Sequence, residues 1–139
     1  MRTITGIDPG QTGGIAFISG DNMYAYKMPE TEKDIVELLC SYPDLVIFLE
    51  SVHSFPGQGV SSTFKFGKGY GFLRGVITAL EIPLHDVTPQ KWQKFMGCMS
   101  KGDKNVTKQK AQQLFPKLKI THATADAILI AEYGRRTLI

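Results

Sequence analysis

The hydrophobic pattern of the first half of the chain changes from alternation to a helical repeat and then to a continuous apolar run. Residues 2–7, 14–19 and 23–28 are rich in β-forming side chains and are separated by turn residues, which predicts three strands. Residues 30–40 place apolar side chains at helical spacing. Residues 45–49 (LVIFL) form an uninterrupted apolar run, which is typical of a central strand buried on both faces.

The second half predicts one short strand and several helices. Residues 84–87 are expected to form a fifth strand, and Thr88-Pro89 has the sequence of a cap and first-turn proline that begin a helix through Phe95. Further helices are predicted at about 104–115 and 122–136. We therefore predict an α/β fold, and 139 residues fit one domain over 1–139.

Charge is distributed unevenly along a chain whose net charge is only +3. Residues 1–60 carry eight acidic and three basic side chains, whereas residues 101–119 carry six lysines and one aspartate. Two distant cysteines indicate neither a zinc site nor a disulfide framework. The first twenty residues lack the pattern of a secretory signal or a membrane span, so we expect a soluble, cytoplasmic protein.

Three acidic residues stand where an ionised carboxylate is costly. Asp8 follows an apolar strand, Glu50 ends the LVIFL run, and Asp126 lies within the apolar segment ATADAILIA. Three carboxylates buried close together would repel one another unless a cation lay between them. Oxygen-only ligands favour Mg²⁺, for which Mn²⁺ can substitute. Taken singly, each acid is also compatible with an ordinary turn, strand-end or ion-pair role.

His122 precedes Asp126 by four residues, so both side chains are expected on one face of the last helix. An imidazole there would ligate a metal ion, orient a water or accept a proton. A first-turn residue that makes only local hydrogen bonds is the alternative.

These motifs, taken in order, resemble RuvC-type Holliday-junction resolvases of the ribonuclease H-like superfamily. The resemblance rests on the segments 7–10 (IDPG), 13–16 (GGIA), 49–50 (LE) and 125–127 (ADA). The blocks at 55–71, 88–92 (TPQKW) and 132–136 (EYGRR) are more similar to phage-encoded and chloroplast members than to bacterial enzymes.

The resemblance implies a five-stranded mixed β-sheet flanked by α-helices, a homodimer, and Mg²⁺-dependent paired nicking of four-way DNA junctions in a bacterial or phage-infected host cytoplasm. Asp8, Glu50 and Asp126 match the metal-binding positions, and bacterial members place an acid or a histidine where this chain has Ala123. Two cations roughly 3.5–4 Å apart, bridged by Asp8, would activate a water and stabilise the leaving 3′-oxygen. We assign His122 to the same site, and we expect neither a membrane nor a nucleotide cofactor as a partner.

DNA contacts are predicted on two basic segments. Phosphates attract lysine and arginine side chains, and aromatic rings stack on unpaired bases. The predicted DNA-binding residues are Lys65, Lys68, Tyr70, Arg74, Lys101, Lys104, Lys108, Lys110 and Lys119, and Phe55, Phe64 and Phe66 are further stacking candidates. The lysine-rich segment is equally compatible with a solvated helix face.

Small residues recur every four positions at Gly67, Gly71, Gly75 and Ala79. If this segment is helical, the stripe packs closely against the chain's own sheet, a second subunit or a DNA backbone. Glycine costs a helix about 1 kcal/mol relative to alanine, so some close approach is expected.

Three other functions remain open at this point. A ribonuclease H or another branched-DNA nuclease would use the same metal site, and a junction-binding protein without catalysis would share the basic segments. A phosphate-binding ATPase or sugar-kinase domain uses a similar early glycine turn, but that architecture needs two such domains.

Overall fold

The computed structural model describes residues 2–53 and 56–138 and contains one five-stranded mixed sheet in the order β3-β2-β1-β4-β5. Strand β4 runs parallel to β1 and to β5, whereas β1, β2 and β3 form an antiparallel meander. The strands are β1 (Thr3–Asp8), β2 (Gly14–Ser19), β3 (Asn22–Lys27), β4 (Leu45–Glu50) and β5 (Leu84–Val87). The predicted mixed sheet is confirmed.

Five helices lie in the described residues, and the four that were predicted outright differ from expectation by only one or two residues at their ends. They are α1 (Glu32–Cys40), α2 (Val60–Ala79), α3 (Pro89–Met96), α4 (Lys104–Leu114) and α5 (His122–Thr137). Helix α2, which the sequence left conditional, is the longest. Nowhere in residues 2–53 and 56–138 is a helix both long and apolar enough to cross a membrane.

The two faces of the sheet pack against different helices. Residues such as Ile7, Ile47 and Leu49 pack against α1 and α2, whereas Val46 and Phe48 pack against α5. Successive residues of a strand point to opposite faces. Each central strand is therefore covered on both sides, which explains the continuous apolar sequence of β4.

Helix α5 lies unusually close to the sheet. A Cβ atom on Gly6, in the middle of β1, would overlap backbone atoms of Ala127 and Ala131 in α5. Glycine is therefore required at this point of β1. The close approach brings the N-terminal half of α5, including Asp126, onto the end of β1.

Candidate active site

Asp8 and Glu50 end two neighbouring parallel strands. In the β1–β4 register, Ile7 pairs with Leu49, so the next residue of each strand lies at the same edge of the sheet. Ile7 and Leu49 both face α1 and α2. Since side chains alternate, Asp8 and Glu50 both face α5. Both residues are buried, as the sequence predicted.

A tight turn follows Asp8 and separates β1 from β2. Gly10 has φ 105°, a left-handed backbone conformation that favours glycine, and its carbonyl accepts a hydrogen bond from the Gly13 N–H at 3.1 Å. Phe66 of α2 lies against Gly10. The turn directs β2 back beside β1 and leaves the Asp8 carboxylate pointing towards α5.

Asp126 completes the acidic group from α5, one turn after that helix begins, and it is half-buried rather than buried as the sequence predicted. Burial raises the pKa of Asp8 to about 8, and the negative charges of Glu50 and Asp126 contribute to the increase. The three predicted carboxylates therefore interact electrostatically in one site. Repulsion among these three carboxylates was predicted from the sequence.

Glu50 has a partner that the sequence did not predict. Its Oε2 accepts a hydrogen bond of 2.7 Å from the indole N–H of Trp92, which is completely buried in α3. Burial raises the pKa of Glu50 to about 7 and Asp126 adds to the increase, while the Trp92 hydrogen bond and Lys104 act in the opposite direction. Trp92 lies 42 residues from Glu50 in sequence, so no local pattern connects the two.

A cleft of about 290 Å³ opens beside the acids. Its lining includes Glu50 and Asp126 together with Lys101, Gly102 and Lys104. Lys104 lowers the pKa of both Asp8 and Glu50 through its positive charge. It was predicted as a DNA-binding residue, and the structure adds that it faces the acidic group.

The donor chemistry of this site fits a divalent cation. Three carboxylates on separate elements supply only oxygen ligands, and burial together with the neighbouring acids raises the pKa values of Asp8 and Glu50. They do not yet converge on one point, since residues 2–53 and 56–138 contain no group of three or more His, Cys, Asp or Glu side chains close enough to hold an ion. Metal binding by Asp8, Glu50 and Asp126 stays a prediction.

His122 is exposed at the first position of α5 and lies one turn before Asp126. The pKa shifts of Asp8 and Glu50 have no contribution from its ring. Its role in the site therefore also stays a prediction.

The predicted DNA-binding residues lie in different environments. The exposed ones are Lys65, Lys68, Lys101, Lys104 and Lys119, and Lys108 and Lys110 are half-buried. Arg74 donates a hydrogen bond of 2.6 Å to Asp86 and lies 5.8 Å from the centre of the Tyr70 ring. Part of the charge of Arg74 is therefore already neutralised within the chain.

The aromatic and glycine residues of α2 divide between its two sides. Phe64 is 70% exposed, whereas Phe66 and Tyr70 are half-buried, and Phe55 lies outside the described residues. A Cβ on Gly67, Gly71 or Gly75 would meet no atom within 4 Å. Packing of this stripe against the chain's own sheet, one of the predicted alternatives, is wrong, because Leu73 and Ile77 on the opposite side of α2 make that contact.

Two solved structures share this architecture. The structure described as T. thermophilus RuvC in complex with Holliday junction substrate matches with a TM-score of 0.65 and 17% sequence identity, over 99% of this chain and 97% of that chain. A Thermus thermophilus RuvC structure matches with a TM-score of 0.63 and 17% identity, over 96% and 95% of the two chains. The chain has a RuvC-like fold. The ribonuclease H-like architecture predicted from the sequence is thereby confirmed. Neither the protein-family models nor the curated proteins give a match to this chain.

Proposed function

We propose that this protein is a metal-dependent endonuclease that hydrolyses phosphodiester bonds in branched DNA. The observation that carries the proposal is the acidic group in which Asp8 and Glu50 end two parallel strands and Asp126 of α5 lies beside them. Burial and mutual repulsion raise the pKa values of Asp8 and Glu50. A site of this kind destabilises the metal-free fold. A cation bound by these carboxylates would offset that cost and supply the chemistry.

Each group of residues at the site has a separate proposed role. Asp8, Glu50 and Asp126 would hold Mg²⁺, with two ions per site, and Mn²⁺ would substitute. Bound Mg²⁺ supplies a nucleophilic water at neutral pH and stabilises charge on the phosphate. Lys101 and Lys104, which line the same cleft as Glu50 and Asp126, attract the DNA backbone to it. We place His122 at the rim, where an imidazole within reach of the reacting water accepts its proton.

We further propose the four-way junction as the substrate. Support comes from the fold, which is shared with a RuvC in complex with a Holliday junction substrate, and from exposed lysines on both α2 and α4. We base the phage-encoded or chloroplast-like branch on the resemblance of residues 55–71 to those resolvases, and we propose a bacterial or phage-infected host cytoplasm as the location.

A panel of labelled substrates tests this proposal. We expect Mg²⁺-dependent, symmetric nicks in a four-way junction that leave 5′-phosphate ends, and much slower cleavage of a flap, a linear duplex and an RNA–DNA hybrid. Preferential cleavage of the hybrid would identify a ribonuclease H instead. Tight junction binding without nicks in either Mg²⁺ or Mn²⁺ would identify a binding protein.

We propose that the active unit is a homodimer whose subunits contact each other through the outer face of α2, defined as Val60, Phe64, Gly67, Gly71 and Gly75. Val60 is 88% and Phe64 is 70% exposed, and the space in front of the three glycines is open. These residues recur at helical spacing on the side of α2 opposite Leu73 and Ile77. A two-fold dimer gives two opposed strands one active site each.

Gly71→Leu tests the dimer directly. The new side chain meets open space in the subunit, so we expect the thermal stability of the monomer to be retained while dimer affinity, measured by sedimentation, falls. Gly69→Leu is the matched control, because Gly69 is equally unobstructed but lies on the opposite side of the helix. Unchanged sedimentation of Gly71→Leu, or a monomeric wild-type protein that makes paired nicks, would contradict the dimer.

A further inference from the structure

The contact between Trp92 and Glu50 suggests a role for the only tryptophan of the chain. We propose that Trp92 is a positioning residue: its indole N–H holds the Glu50 carboxylate in one orientation and leaves the second oxygen available to a divalent cation. The inference rests on the proposed metal-dependent function and deepens it, because it assigns a residue outside the acidic group to cation binding.

The geometry of the contact restricts Glu50 strongly. The indole has a single N–H donor, and it is directed at Oε2 at 2.7 Å. Glu50 is 8% exposed and Trp92 is 0% exposed, so water does not compete for this hydrogen bond. With Oε2 fixed, the carboxylate cannot rotate freely, and Oε1 is the oxygen left for a ligand.

The position of Trp92 is itself determined by the strand that precedes it. Val87, the last residue of β5, is the register partner of Glu50, and its carbonyl accepts a hydrogen bond of 2.7 Å from the Ser51 N–H. Helix α3 begins two residues later. Its start is fixed by the Thr88 side chain, which accepts a hydrogen bond from the Lys91 N–H, and by Pro89 in the first turn.

From this start, the first turn of α3 places Trp92 directly over the end of β4. The indole belongs to the buried apolar cluster on this face of the sheet, which also includes Met96, Cys98 and Ile128. The TPQKW sequence therefore has a structural explanation: a capped helix start delivers one tryptophan to the carboxylate at the end of the neighbouring strand.

A neutral donor is suited to this task. A lysine or arginine at the same place would neutralise Glu50 and compete with the cation, whereas an indole N–H orients the carboxylate and leaves its charge in place. Hydrogen-bond partners of metal-ligating carboxylates contribute to metal binding, because their loss typically lowers metal affinity about 10–100-fold.

Replacement of Trp92 by benzothienylalanine isolates the N–H group. This analogue keeps the bicyclic shape but carries sulfur in place of the N–H, and residue-specific incorporation changes one position only, because the chain has 1 tryptophan. Titration with MnCl₂ in a calorimeter gives cation affinity without any need for nicking, and thermal unfolding monitors the fold.

We expect about 10-fold or greater weakening of Mn²⁺ binding in the analogue protein and in Trp92→Phe, with the melting temperature of the analogue close to that of the wild type. Met96→Val is the control, because it removes volume from the same helix and apolar cluster, and a methionine side chain has no hydrogen-bond donor for Glu50. Wild-type Mn²⁺ affinity in the analogue protein would overturn the role of Trp92 while leaving the proposed function intact. An equal loss of Mn²⁺ affinity in Met96→Val would show that core packing causes the effect, and it would also overturn the role of Trp92. A wild-type protein that neither binds Mn²⁺ nor nicks DNA would overturn the proposed function itself.

Discussion

Helix α5 carries two acidic side chains in opposite electrostatic situations. Glu132 is 4% exposed and accepts hydrogen bonds from Arg135 and from Arg136, whose Nε lies 2.7 Å from Oε2. Burial alone would raise the pKa of Glu132, but the hydrogen bonds and charges of the two arginines outweigh it and the pKa is lowered. Asp126, six positions earlier, instead adds its charge to those of Asp8 and Glu50, whose pKa values are raised.

The difference separates an acid whose charge is balanced by neighbouring arginines from acids that lie beside other acids. Glu132 obtains its counter-ions from its own helix, at positions three and four residues later, so the charge is balanced as soon as α5 forms. Around Asp8 and Glu50, the cation that contributes is Lys104, which is exposed, and the direct donor to Glu50 is a neutral indole. At this site, burial and the neighbouring acids outweigh the positive charge of Lys104, and the pKa values of Asp8 and Glu50 are raised. In the proposed function, a bound cation would balance these acids.

The largest expected effect comes from removing a carboxylate of the acidic group. Asp8→Asn, Glu50→Gln and Asp126→Asn should each slow junction nicking about 10³-fold or more, since metal ions supply several kcal/mol and each factor of ten is about 1.4 kcal/mol. Junction binding, measured by gel shift, should be retained or strengthened, because the change removes negative charge near phosphate. Nicking at the wild-type rate would exclude the residue concerned from the site.

Glu132→Gln is the matched control for these variants. It also neutralises a buried acid, but at a position whose charge is already balanced, so nicking by the folded protein should stay near the wild-type rate. A loss as large as that of Asp126→Asn would show that the distinction between the two regions of α5 is wrong.

The features of the fold and the site that depend on a local sequence pattern could be predicted. The apolar run of β4 predicted a central strand. The acids at strand and helix positions predicted a common site, because buried carboxylates are costly unless a cation lies between them. Gly6, by contrast, gave no local sign that α5 crosses there, since a glycine in a strand is compatible with several structures.

Contacts between distant segments could not be predicted. The hydrogen bond from Trp92 to Glu50 and the proximity of Lys104 to the acids depend on how α3 and α4 pack, which no periodicity encodes. The glycine stripe was ambiguous for a related reason. Its spacing indicates one helical face, but only the fold reveals that Leu73 and Ile77 form the buried face and that the glycines point outward.

An intermediate effect is expected when the counter-ions of Glu132 are removed. The double change Arg135→Ala with Arg136→Ala leaves a buried carboxylate unpaired, which should cost about 3 kcal/mol in the free energy of unfolding. Urea unfolding at pH 7 measures it. Adding Glu132→Gln to the double variant should recover part of the loss, because the uncompensated charge is then removed. A double variant as stable as the wild type would indicate that water, rather than the arginines, solvates Glu132.

The smallest expected effect concerns how the stability of the metal-free protein depends on pH. The contributions of the acidic group and of Glu132 should change with pH in opposite directions. The folded-state pKa of Asp8 is raised from 3.8 to about 8, so between these values the folded protein holds a proton that the unfolded chain releases. Stability therefore falls as pH rises through this window, and Glu50, raised to about 7, acts in the same direction. Glu132, whose pKa is lowered, stabilises the fold above its ordinary pKa and loses that contribution as pH falls.

In EDTA at pH 9, Asp8→Asn should raise the free energy of unfolding by about 2 kcal/mol. Converting the whole pKa shift at about 1.4 kcal/mol per unit would give a larger value. The smaller value is expected because structural relaxation and water penetration partly relieve buried charges. Saturating Mg²⁺ should stabilise the wild type at pH 9 but have much less effect on Asp8→Asn. Thermal unfolding from pH 5 to pH 9 with and without Mg²⁺ measures both effects, and a wild type that gains stability in EDTA as pH rises from 5 to 9 would show that the acids are already balanced within the chain.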